Sequence, residues 1–281
     1  MSTAQPPGAG RPRVLVIAYA CEPGRGSEPG VGWSLVQSLT RFADPVVLVG
    51  PEHIDAIRRW EEANPDSPAQ FELVDEPKWA RRLPHEPTEK AKKHLIGYFL
   101  SYLGWQRRAI GVAENLHRRQ PFDVAYHATY SVYWLPSPGR RLDIPLVWGP
   151  VGGAVTTPFG MWRALGVTGI ISELFDFLAV RFLSLARSTR STWRRAKIRI
   201  IQSEETRRRL GRPRNSDVLL NHVMFTEVER HPKPRESFML FLSSFEPRKG
   251  VRFALHGLAK ADPAVRMVIV GDGPERSAVE S

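Results

Sequence analysis

The sequence has little cysteine and no long apolar run, and both shortages exclude whole classes of protein. Its 281 residues include one cysteine, Cys21, which excludes an internal disulfide framework and a cysteine-rich metal site. Residues 1–12 have no apolar core of signal-peptide length and are expected to form a flexible tail. The best candidate for a membrane span, residues 166–186, contains three charged residues and is too polar to cross a bilayer. These absences predict a cytoplasmic protein.

Acidic residues are also scarce relative to basic ones, since the formal net charge is +11. Residues 160–214 contain thirteen arginines and lysines and only four acids, and apolar residues recur beside them at helical spacing. Two interpretations stay open. One is an ordinary packed helix with a solvated arginine face, and the other is peripheral contact with the inner face of an anionic membrane. No aromatic-basic recognition motif is present, so no nucleic-acid partner is expected.

Apolar runs of strand length alternate with helical patterns along the chain. The first run, Arg13–Cys21, is nearly continuous, as expected for a strand that is buried on both faces. Further strands are predicted at residues 45–50, 71–74, 122–126, 145–148, 198–202 and 217–220, and helices at residues 31–42, 53–63 and 88–119. This alternation predicts stacked βαβ units, and therefore an α/β fold with a mainly parallel sheet.

A second α/β unit is predicted after a proline-rich stretch. Residues 231–235 contain two prolines and three cationic side chains, which suits a linker. Beyond them, two apolar runs flank a helical pattern that begins at Lys249-Gly250. The sequence therefore predicts a complete Rossmann-like domain over residues 13–230 and the first βαβ unit of a second one over residues 236–281.

Ligands of parallel sheets bind beyond the carboxyl ends of the strands, so the loops there are the first candidates for a site. The loop after the first strand is rich in glycine, and Gly30 and Gly32 would let the backbone approach a phosphate or a sugar. A rival interpretation is a dinucleotide-binding fingerprint, because the glycine spacing from Gly24 is close to that motif and Glu52 follows at roughly the right distance. A glycine-rich turn without a ligand is the third possibility.

Two later strands end in residues that would border the same cleft. His127 follows the fourth strand, where a neutral imidazole can orient a sugar hydroxyl, although a lone histidine also suits a purely structural role. The fifth strand ends near Gly152 and Gly153, which again permit close approach. In the second unit, Lys249 at a helix start suits a diphosphate, although an exposed surface lysine would look the same.

The motifs form an ordered set: GSEPGVGW, HAT, WGPVGG, EPRKGV and VIVGDGPER. In this order and spacing, over about residues 13–281, the chain resembles the family 4 retaining glycosyltransferases, which have the GT-B fold of two Rossmann-like domains. The resemblance implies transfer of a sugar from a nucleotide-diphosphate donor to a glycan, lipid or small-molecule acceptor, with retention. It also implies that no catalytic metal or other cofactor takes part, because cationic side chains and amides stabilise the leaving diphosphate.

The resemblance assigns roles to the candidate residues. His127 would contact the transferred sugar, and Lys249 would bind the diphosphate. The glycines expected beside the donor or the acceptor are Gly30, Gly32, Gly152 and Gly153.

The sequence departs from this family in two ways. Ser244 stands where the family usually has an arginine, and a neutral hydroxyl cannot replace a bidentate guanidinium on a diphosphate. Arg248 is the residue that could partly compensate. The family's paired glutamates, which hold the ribose and the donor sugar, would fall beyond Ser281. A truncated second domain with weak or no activity is therefore expected.

Two other functions stay open at this point. The first domain could act as a non-catalytic binding or partner module, and the glycine loop with Glu52 keeps a nicotinamide-cofactor oxidoreductase as a third hypothesis. Whatever the function, an unfinished second sheet is expected to expose apolar strand residues and to be less stable than the first domain.

Overall fold

The structure is a computed structural model, and it describes residues 10–80, 92–219 and 237–280. The chain divides into two compact units. The first comprises Met1–Leu83, Phe99–Val155 and Leu178–Met224, and the second comprises Pro84–Tyr98, Thr156–Phe177 and Phe225–Ser281. The predicted linker at 231–235 lies outside the described residues, so the predicted domain limits of 13–230 and 236–281 stay predictions.

The first unit is built on a seven-stranded sheet. Its strands are β1 (Arg13–Ile17), β2 (Asp44–Val49), β3 (Gln70–Leu73), β4 (Val124–His127), β5 (Leu146–Val151), β6 (Ala196–Ile201) and β7 (Ser216–Val218). Their spatial order is β3-β2-β1-β4-β5-β6-β7, and every neighbouring pair is parallel. The predicted α/β fold with a parallel sheet is confirmed. The strand order reverses between β1 and β4, which is where sheets of this kind bind ligands.

Six helices accompany these strands in the described part of the chain. They are α1 (Ser27–Leu39), α2 (Ile54–Ala63), α3 (Lys92–Arg119), α4 (Gly166–Phe182), α5 (Arg187–Arg195) and α6 (Glu204–Arg209). Residues 166–177 of α4 belong to the second unit. The predicted start of α3 at Thr88 lies outside the described residues. None of these helices combines the length and the apolar character that a membrane-spanning segment needs.

The predicted limits of α1 were wrong by several residues at both ends. The prediction placed the helix at 31–42, but it begins at Ser27 and ends at Leu39. Pro29 had suggested a loop. It lies in the first turn of the helix, where a backbone N–H has no intrahelical partner and proline is therefore tolerated. As a result, Gly30 and Gly32 of the predicted loop fall inside the helix.

The core of the first unit lies on both faces of the sheet, as the continuous apolar runs predicted. Val16 of β1 and Val47 of β2 are completely buried, and they pack in one cluster with Val36 of α1 and Ile57 of α2. Leu15, in the same strand as Val16, is also completely buried. A strand buried at successive positions requires cover on both faces, and this explains the lack of polar alternation in β1.

The second unit contains a two-stranded parallel sheet, β8 (Met239–Leu242) and β9 (Met267–Val270), joined through α7 (Val251–Leu258) and followed by α8 (Arg276–Glu280). This confirms the predicted strand–helix–strand unit. Large apolar side chains of both strands are exposed; Leu242, for example, is 71% exposed. The expected exposure of apolar strand residues is therefore confirmed within the described residues. Phe245, after β8, and Val251, at the start of α7, are the buried apolar residues among the described ones of this part of the chain.

Candidate functional site

A buried polar cluster lies in the first unit, where the strand order reverses. Tyr19 follows β1, His127 ends β4, Tyr130 follows β4, and Tyr102 comes from α3. We call these four residues the tyrosine–histidine cluster. Tyr19, Tyr102 and His127 are each at most 2% exposed. Polar side chains that are buried to this extent need hydrogen-bond partners. The hydrogen bonds within the cluster show which of its polar atoms already have one.

His127 sits between β1 and β5, in register with Ile17 and Trp148. Burial lowers the pKa of His127 to about 3, against a smaller opposing effect from the backbone of Thr129. The imidazole is therefore neutral at physiological pH. Its Nε2 lies 3.2 Å from the hydroxyl oxygen of Tyr102, whereas Nδ1 has no hydrogen-bond partner of normal geometry among the described residues. The predicted contact of His127 with a sugar stays a prediction.

Tyr102 determines which ring nitrogen of His127 carries the proton. Its hydroxyl oxygen also lies 3.3 Å from the carbonyl oxygen of Tyr130. If the hydroxyl donates to that carbonyl, Nε2 is protonated and Nδ1 is an acceptor. If it donates to Nε2 instead, Nδ1 carries the proton and is a donor. In either case Nδ1 makes no hydrogen bond of normal geometry among the described residues, although the backbone of Thr129 is close enough to affect the pKa of the ring.

Aromatic rings enclose the cluster. The ring of Tyr19 meets those of Tyr102, Tyr130 and Trp105 edge to face, with centroids 5.0 to 5.4 Å apart. The hydroxyl of Tyr19 donates to Oε1 of Glu76 at 2.8 Å. Burial, reinforced by nearby carboxylates, raises the pKa of Tyr19, so its hydroxyl stays protonated. The result is a buried aromatic cluster in which the orientation of the Tyr19 hydroxyl is fixed by Glu76.

Glu28, in the first turn of α1, reaches the cluster through the backbone. Its Oε1 accepts a hydrogen bond of 2.9 Å from the N–H of Tyr130. Tyr130 has a left-handed backbone (φ +52°), which is uncommon for a residue with a side chain and marks local strain. Burial raises the pKa of Glu28, and the bond from Tyr130 partly opposes this. A buried carboxyl group of raised pKa that borders a polar cluster is a candidate for proton transfer.

Sequence reasoning missed Glu28 and Tyr102. Tyr102 lies within a long helical pattern, where an aromatic residue is most simply interpreted as core. Glu28 lies within the GSEPGVGW motif, but only the glycines of that motif were interpreted as candidate ligand contacts. Glu28 could have been found from its position, because it is an acidic residue in the first helical turn after a buried strand, at the carboxyl edge of the predicted sheet.

A second polar group lies beyond β1 and β2. Nδ1 of His53 is 2.7 Å from Oε2 of Glu22, its Nε2 is 3.2 Å from Oε1 of Glu52, and Arg25 also pairs with Glu22 at 2.9 Å. Burial alone would lower the pKa of His53, but the two carboxylates together outweigh it and raise the pKa. Glu52, whose spacing suggested a dinucleotide-binding fingerprint, therefore lies against the ring of His53.

Gly30 and Gly32 lie within α1, and both are buried. A Cβ atom at position 32 would overlap the carbonyl oxygen of Ala20 and lie 2.8 Å from Cγ2 of Thr129. The lack of a side chain at Gly32 therefore lets α1 pack closely on the chain that leaves β1. This packing role accounts for Gly32 without a ligand, and the predicted ligand contact of both glycines stays a prediction.

The predicted end of β5 at Trp148 was wrong, because the strand continues to Val151. Gly149-Pro150, directly after the predicted end, forms a cis peptide within an irregular stretch. The register against β6 shifts there, and pairing resumes at Val151 opposite Ile201. A bulge of this kind absorbs the missing proline N–H without ending the strand.

The glycines after β5 pack against other parts of the first unit. A Cβ atom at Gly152 would lie 2.6 Å from Oε1 of Gln202, and one at Gly153 would lie 2.6 Å from Cγ1 of Val132. Gly153 also has a left-handed backbone, with φ of +71°. Protein side chains approach both positions closely, and at Gly152 the approaching atoms are the end of the flexible Gln202 side chain. Contact of either glycine with a ligand stays a prediction.

In the second unit, Lys249 is exposed at the end of a short 3₁₀ turn, Pro247–Lys249, directly before α7. Gly250 has φ of +78° and forms the start of that helix. Ser244 is exposed in the loop after β8. The side chain of Arg248 lies outside the described part of the structure. The diphosphate contacts predicted for Lys249 and Arg248 stay predictions.

Among the described residues, no group of three or more His, Cys, Asp or Glu is arranged to hold a metal ion. The prediction that no catalytic metal or other cofactor is needed stays a prediction.

Comparison with solved structures identifies the fold. The chain aligns with UGT89C1 of Arabidopsis thaliana, in a crystal structure with UDP-L-rhamnose, with a TM-score of 0.50 and 13% identity over 94% of this chain and 69% of that one. The chain has a GT-B-type fold. This confirms the predicted fold class of Rossmann-like units.

Two further solved structures align less well with the chain. The calicheamicin glycosyltransferase CalG4 aligns with a TM-score of 0.48 and 16% identity, over 97% of this chain and 69% of that one. A UDP-N-acetylglucosamine 2-epimerase aligns with a TM-score of 0.43 and 11% identity, over 91% of this chain and 60% of that one. No protein-family pattern and no curated protein matches the chain in sequence.

Proposed function

We propose that this chain is a glycosyltransferase of the family 4 type, which transfers a sugar from a nucleotide-diphosphate donor with retention. The observation that carries the proposal is the buried, neutral His127, whose Nδ1 makes no hydrogen bond of normal geometry among the described residues, at the point where the sheet of a GT-B-type fold reverses its order. The likeness of the fold to a plant protein crystallised with UDP-L-rhamnose supports a nucleotide-sugar donor. The ordered motifs of the sequence support family 4.

In this proposal, Nδ1 of His127 binds a hydroxyl of the transferred sugar, and Tyr102 keeps the imidazole in one orientation. A neutral ring is suited to this task because it offers a hydrogen bond without placing a buried charge beside the sugar. Glu28 is the carboxylate within reach of the same cluster, through Tyr130, and is the candidate to accept the proton of the acceptor hydroxyl.

The leaving diphosphate needs positive charge. Lys249 supplies a cation directly before α7, and the backbone amides at the start of that helix add partial positive charge. Arg248 is the candidate that takes over part of the role of the arginine replaced by Ser244. Such charge stabilisation would make a catalytic metal unnecessary.

The acceptor is a glycan, a lipid or a small molecule. Of these, a lipid would give the basic segment at residues 160–214 a purpose, because an enzyme resting on the inner face of the cytoplasmic membrane meets a lipid acceptor there. Peripheral membrane contact is therefore part of the proposal.

The test is to titrate the 281-residue chain with UDP- and GDP-sugars, and to measure binding by calorimetry and nucleoside diphosphate release by a coupled assay. We expect binding that Lys249→Gln weakens at least tenfold, because an ammonium at a diphosphate is worth about 1.5–3 kcal/mol. Lys260→Gln, which removes an exposed lysine of the same unit, is the matched control.

The other hypotheses are outcomes of the same experiment. Binding without any transfer would support the non-catalytic binding module. Binding of a nicotinamide cofactor, with none of any nucleotide sugar, would overturn the proposal in favour of an oxidoreductase. His127→Asn should reduce transfer while leaving affinity for the free nucleoside diphosphate unchanged.

A further inference from the structure

The C-terminal end of α4 in the first unit, and the 3₁₀ turn Leu183–Leu185 that follows it, present large apolar side chains to solvent. Phe182 is 59% exposed and Leu185 is 53% exposed, and Leu178 and Leu183 are also exposed. We call these four residues the apolar edge. Leu178, Phe182 and Leu185 are spaced as i, i+4 and i+7, which places them on one side of a helical segment. A contiguous exposed group of this kind is characteristic of an interaction surface.

Three arginines follow immediately on α5. Arg187, Arg190 and Arg194 are spaced as i, i+3 and i+7, so they share one side of the helix, and all three are exposed. We call them the arginine face. Thr189 and Thr192 are buried on another side of α5. The apolar edge and the arginine face are joined in the chain by Ala186, whose carbonyl accepts the hydrogen bond from the N–H of Arg190.

The arginine face has no carboxylate partner among the described residues, whereas other arginines of this basic segment do. Arg207 pairs with Glu204 at 3.5 Å, and Arg209 pairs with Glu205 at 3.1 Å. The positive charge of α6 is thus partly neutralised by its own acids. The positive charge of the arginine face is not neutralised in this way and can attract an external anion.

We propose that the apolar edge and the arginine face together dock on an anionic lipid bilayer. Leucine and phenylalanine side chains enter the boundary between headgroups and acyl chains, and guanidinium groups bind lipid phosphates with two parallel hydrogen bonds. A second copy of the chain fits less well, because pairing two apolar edges would bring two arginine faces together. Nucleic acid would satisfy the arginines but would leave the apolar edge exposed.

This inference assigns the membrane contact of the basic segment at residues 160–214 to seven side chains, the four of the apolar edge and the three of the arginine face. It rests on the proposed function in one respect, since a lipid acceptor would be the reason for docking. Lipid binding itself needs neither a nucleotide sugar nor turnover. The two proposals can therefore fail separately, provided that vesicle binding and donor binding are both measured on the same protein preparations.

The first test is flotation of the 281-residue chain with vesicles. We expect it to bind vesicles of phosphatidylcholine mixed with phosphatidylglycerol, to bind pure phosphatidylcholine weakly, and to dissociate as salt is raised, because screening weakens attraction to the charged surface. Failure to bind the anionic vesicles at low salt would overturn the proposal. Dimerisation by light scattering without vesicle binding would assign the surface to a second copy instead.

Substitutions then locate the surface. Each basic residue near an anionic membrane strengthens binding about fivefold, so the triple variant Arg187→Gln/Arg190→Gln/Arg194→Gln should lose about 100-fold in affinity. The control is Arg107→Gln/Arg118→Gln/Arg119→Gln, which removes three exposed arginines of α3 and changes the net charge equally. An equal loss in both variants would show general attraction by net charge and would overturn the assignment to this surface.

The apolar edge has its own variant, Phe182→Ser/Leu185→Ser. Both side chains are more than half exposed, so folding should survive, which circular dichroism checks. We expect weaker binding that persists at low salt and disappears at moderate salt, because only the arginine attraction remains. Unchanged binding would show that no apolar insertion occurs and would overturn that part of the proposal. Donor affinity, measured in parallel, should be the same in every variant.

Discussion

The hydroxyl of Tyr102 lies 3.2 Å from Nε2 of His127, and both side chains are at most 2% exposed. The pair joins α3 to the end of β4 at the point where the sheet reverses its order. It holds the imidazole through Nε2, whereas Nδ1 makes no hydrogen bond of normal geometry among the described residues. The candidate site is therefore held by a hydrogen bond whose removal has a measurable cost.

Replacing Tyr102 with phenylalanine should destabilise the first unit by about 1 kcal/mol, the usual net value of a buried hydrogen bond. Urea unfolding followed by fluorescence measures this free energy. The control is Tyr126→Phe, because the buried hydroxyl of Tyr126 has no hydrogen-bond partner among the described residues. Removing that hydroxyl should be neutral or stabilising. Equal destabilisation by both variants would contradict the proposed hydrogen bond of Tyr102.

Acid should destabilise the fold partly through His127. Burial lowers the pKa of His127 from 6.5 to about 3, so below pH 6.5 the unfolded chain binds a proton that the folded chain does not. The contribution to the free energy of unfolding should therefore fall by about 1.4 kcal/mol per pH unit between about pH 6 and pH 3. Unfolding of the wild type and of His127→Asn across this range should reveal the difference. Parallel pH profiles would argue against a neutral buried imidazole.

The stability that His53 contributes should depend on pH in the opposite direction to that of His127. Its folded pKa is raised, because Glu22 and Glu52 outweigh the effect of burial. The stability that it contributes is present below pH 6.5, the unfolded value, and is lost as the pH rises through the folded pKa. NMR titration of the ring protons measures the pKa directly. Glu22→Gln should lower it towards the unfolded value, whereas Glu61→Gln, at a surface acid paired with Arg58, should not change it.

Substituting alanine for Gly32 should be strongly destabilising, by about 1–3 kcal/mol or more, because the new methyl group would overlap the backbone of Ala20. Gly111→Ala is the matched change. Gly111 lies in α3 with open space around the position of a Cβ atom, so alanine there should stabilise by about 0.5–1 kcal/mol. Thermal unfolding of both variants tests the pair. A tolerated Gly32→Ala would show that the close packing of α1 can relax.

The second unit should exchange its amide hydrogens faster than the first. Its sheet has two strands, and apolar side chains of both, such as Leu240 and Val268, are exposed. Few buried contacts mean a low free energy of local opening. Hydrogen exchange followed by mass spectrometry should find β8 and β9 exchanging well before β1 and β2. Equal protection would contradict this expectation.

Most of the fold was predictable from the sequence, because the signals are local. The apolar run of β1 follows from burial on both faces, and the alternation of strands and helices predicts a parallel sheet. The errors occurred where proline suggested a break. Pro29 is accommodated in the first turn of α1, and Pro150 is accommodated in a bulge of β5. In both places the surrounding structure tolerates a missing N–H that a local pattern cannot anticipate.

The sequence by itself determined the fold class and singled out His127 as a candidate. Only the tertiary structure decided the protonation state of His127 and its hydrogen-bond partner. The contact from Tyr102 spans 25 positions of the chain, and the contact from Glu28 to Tyr130 spans 102. Likewise, Gly32 is explained by Ala20 and Thr129, which approach it from other elements. Burial and hydrogen bonding depend on which distant segments meet, and for that reason they appear only once the chain has folded.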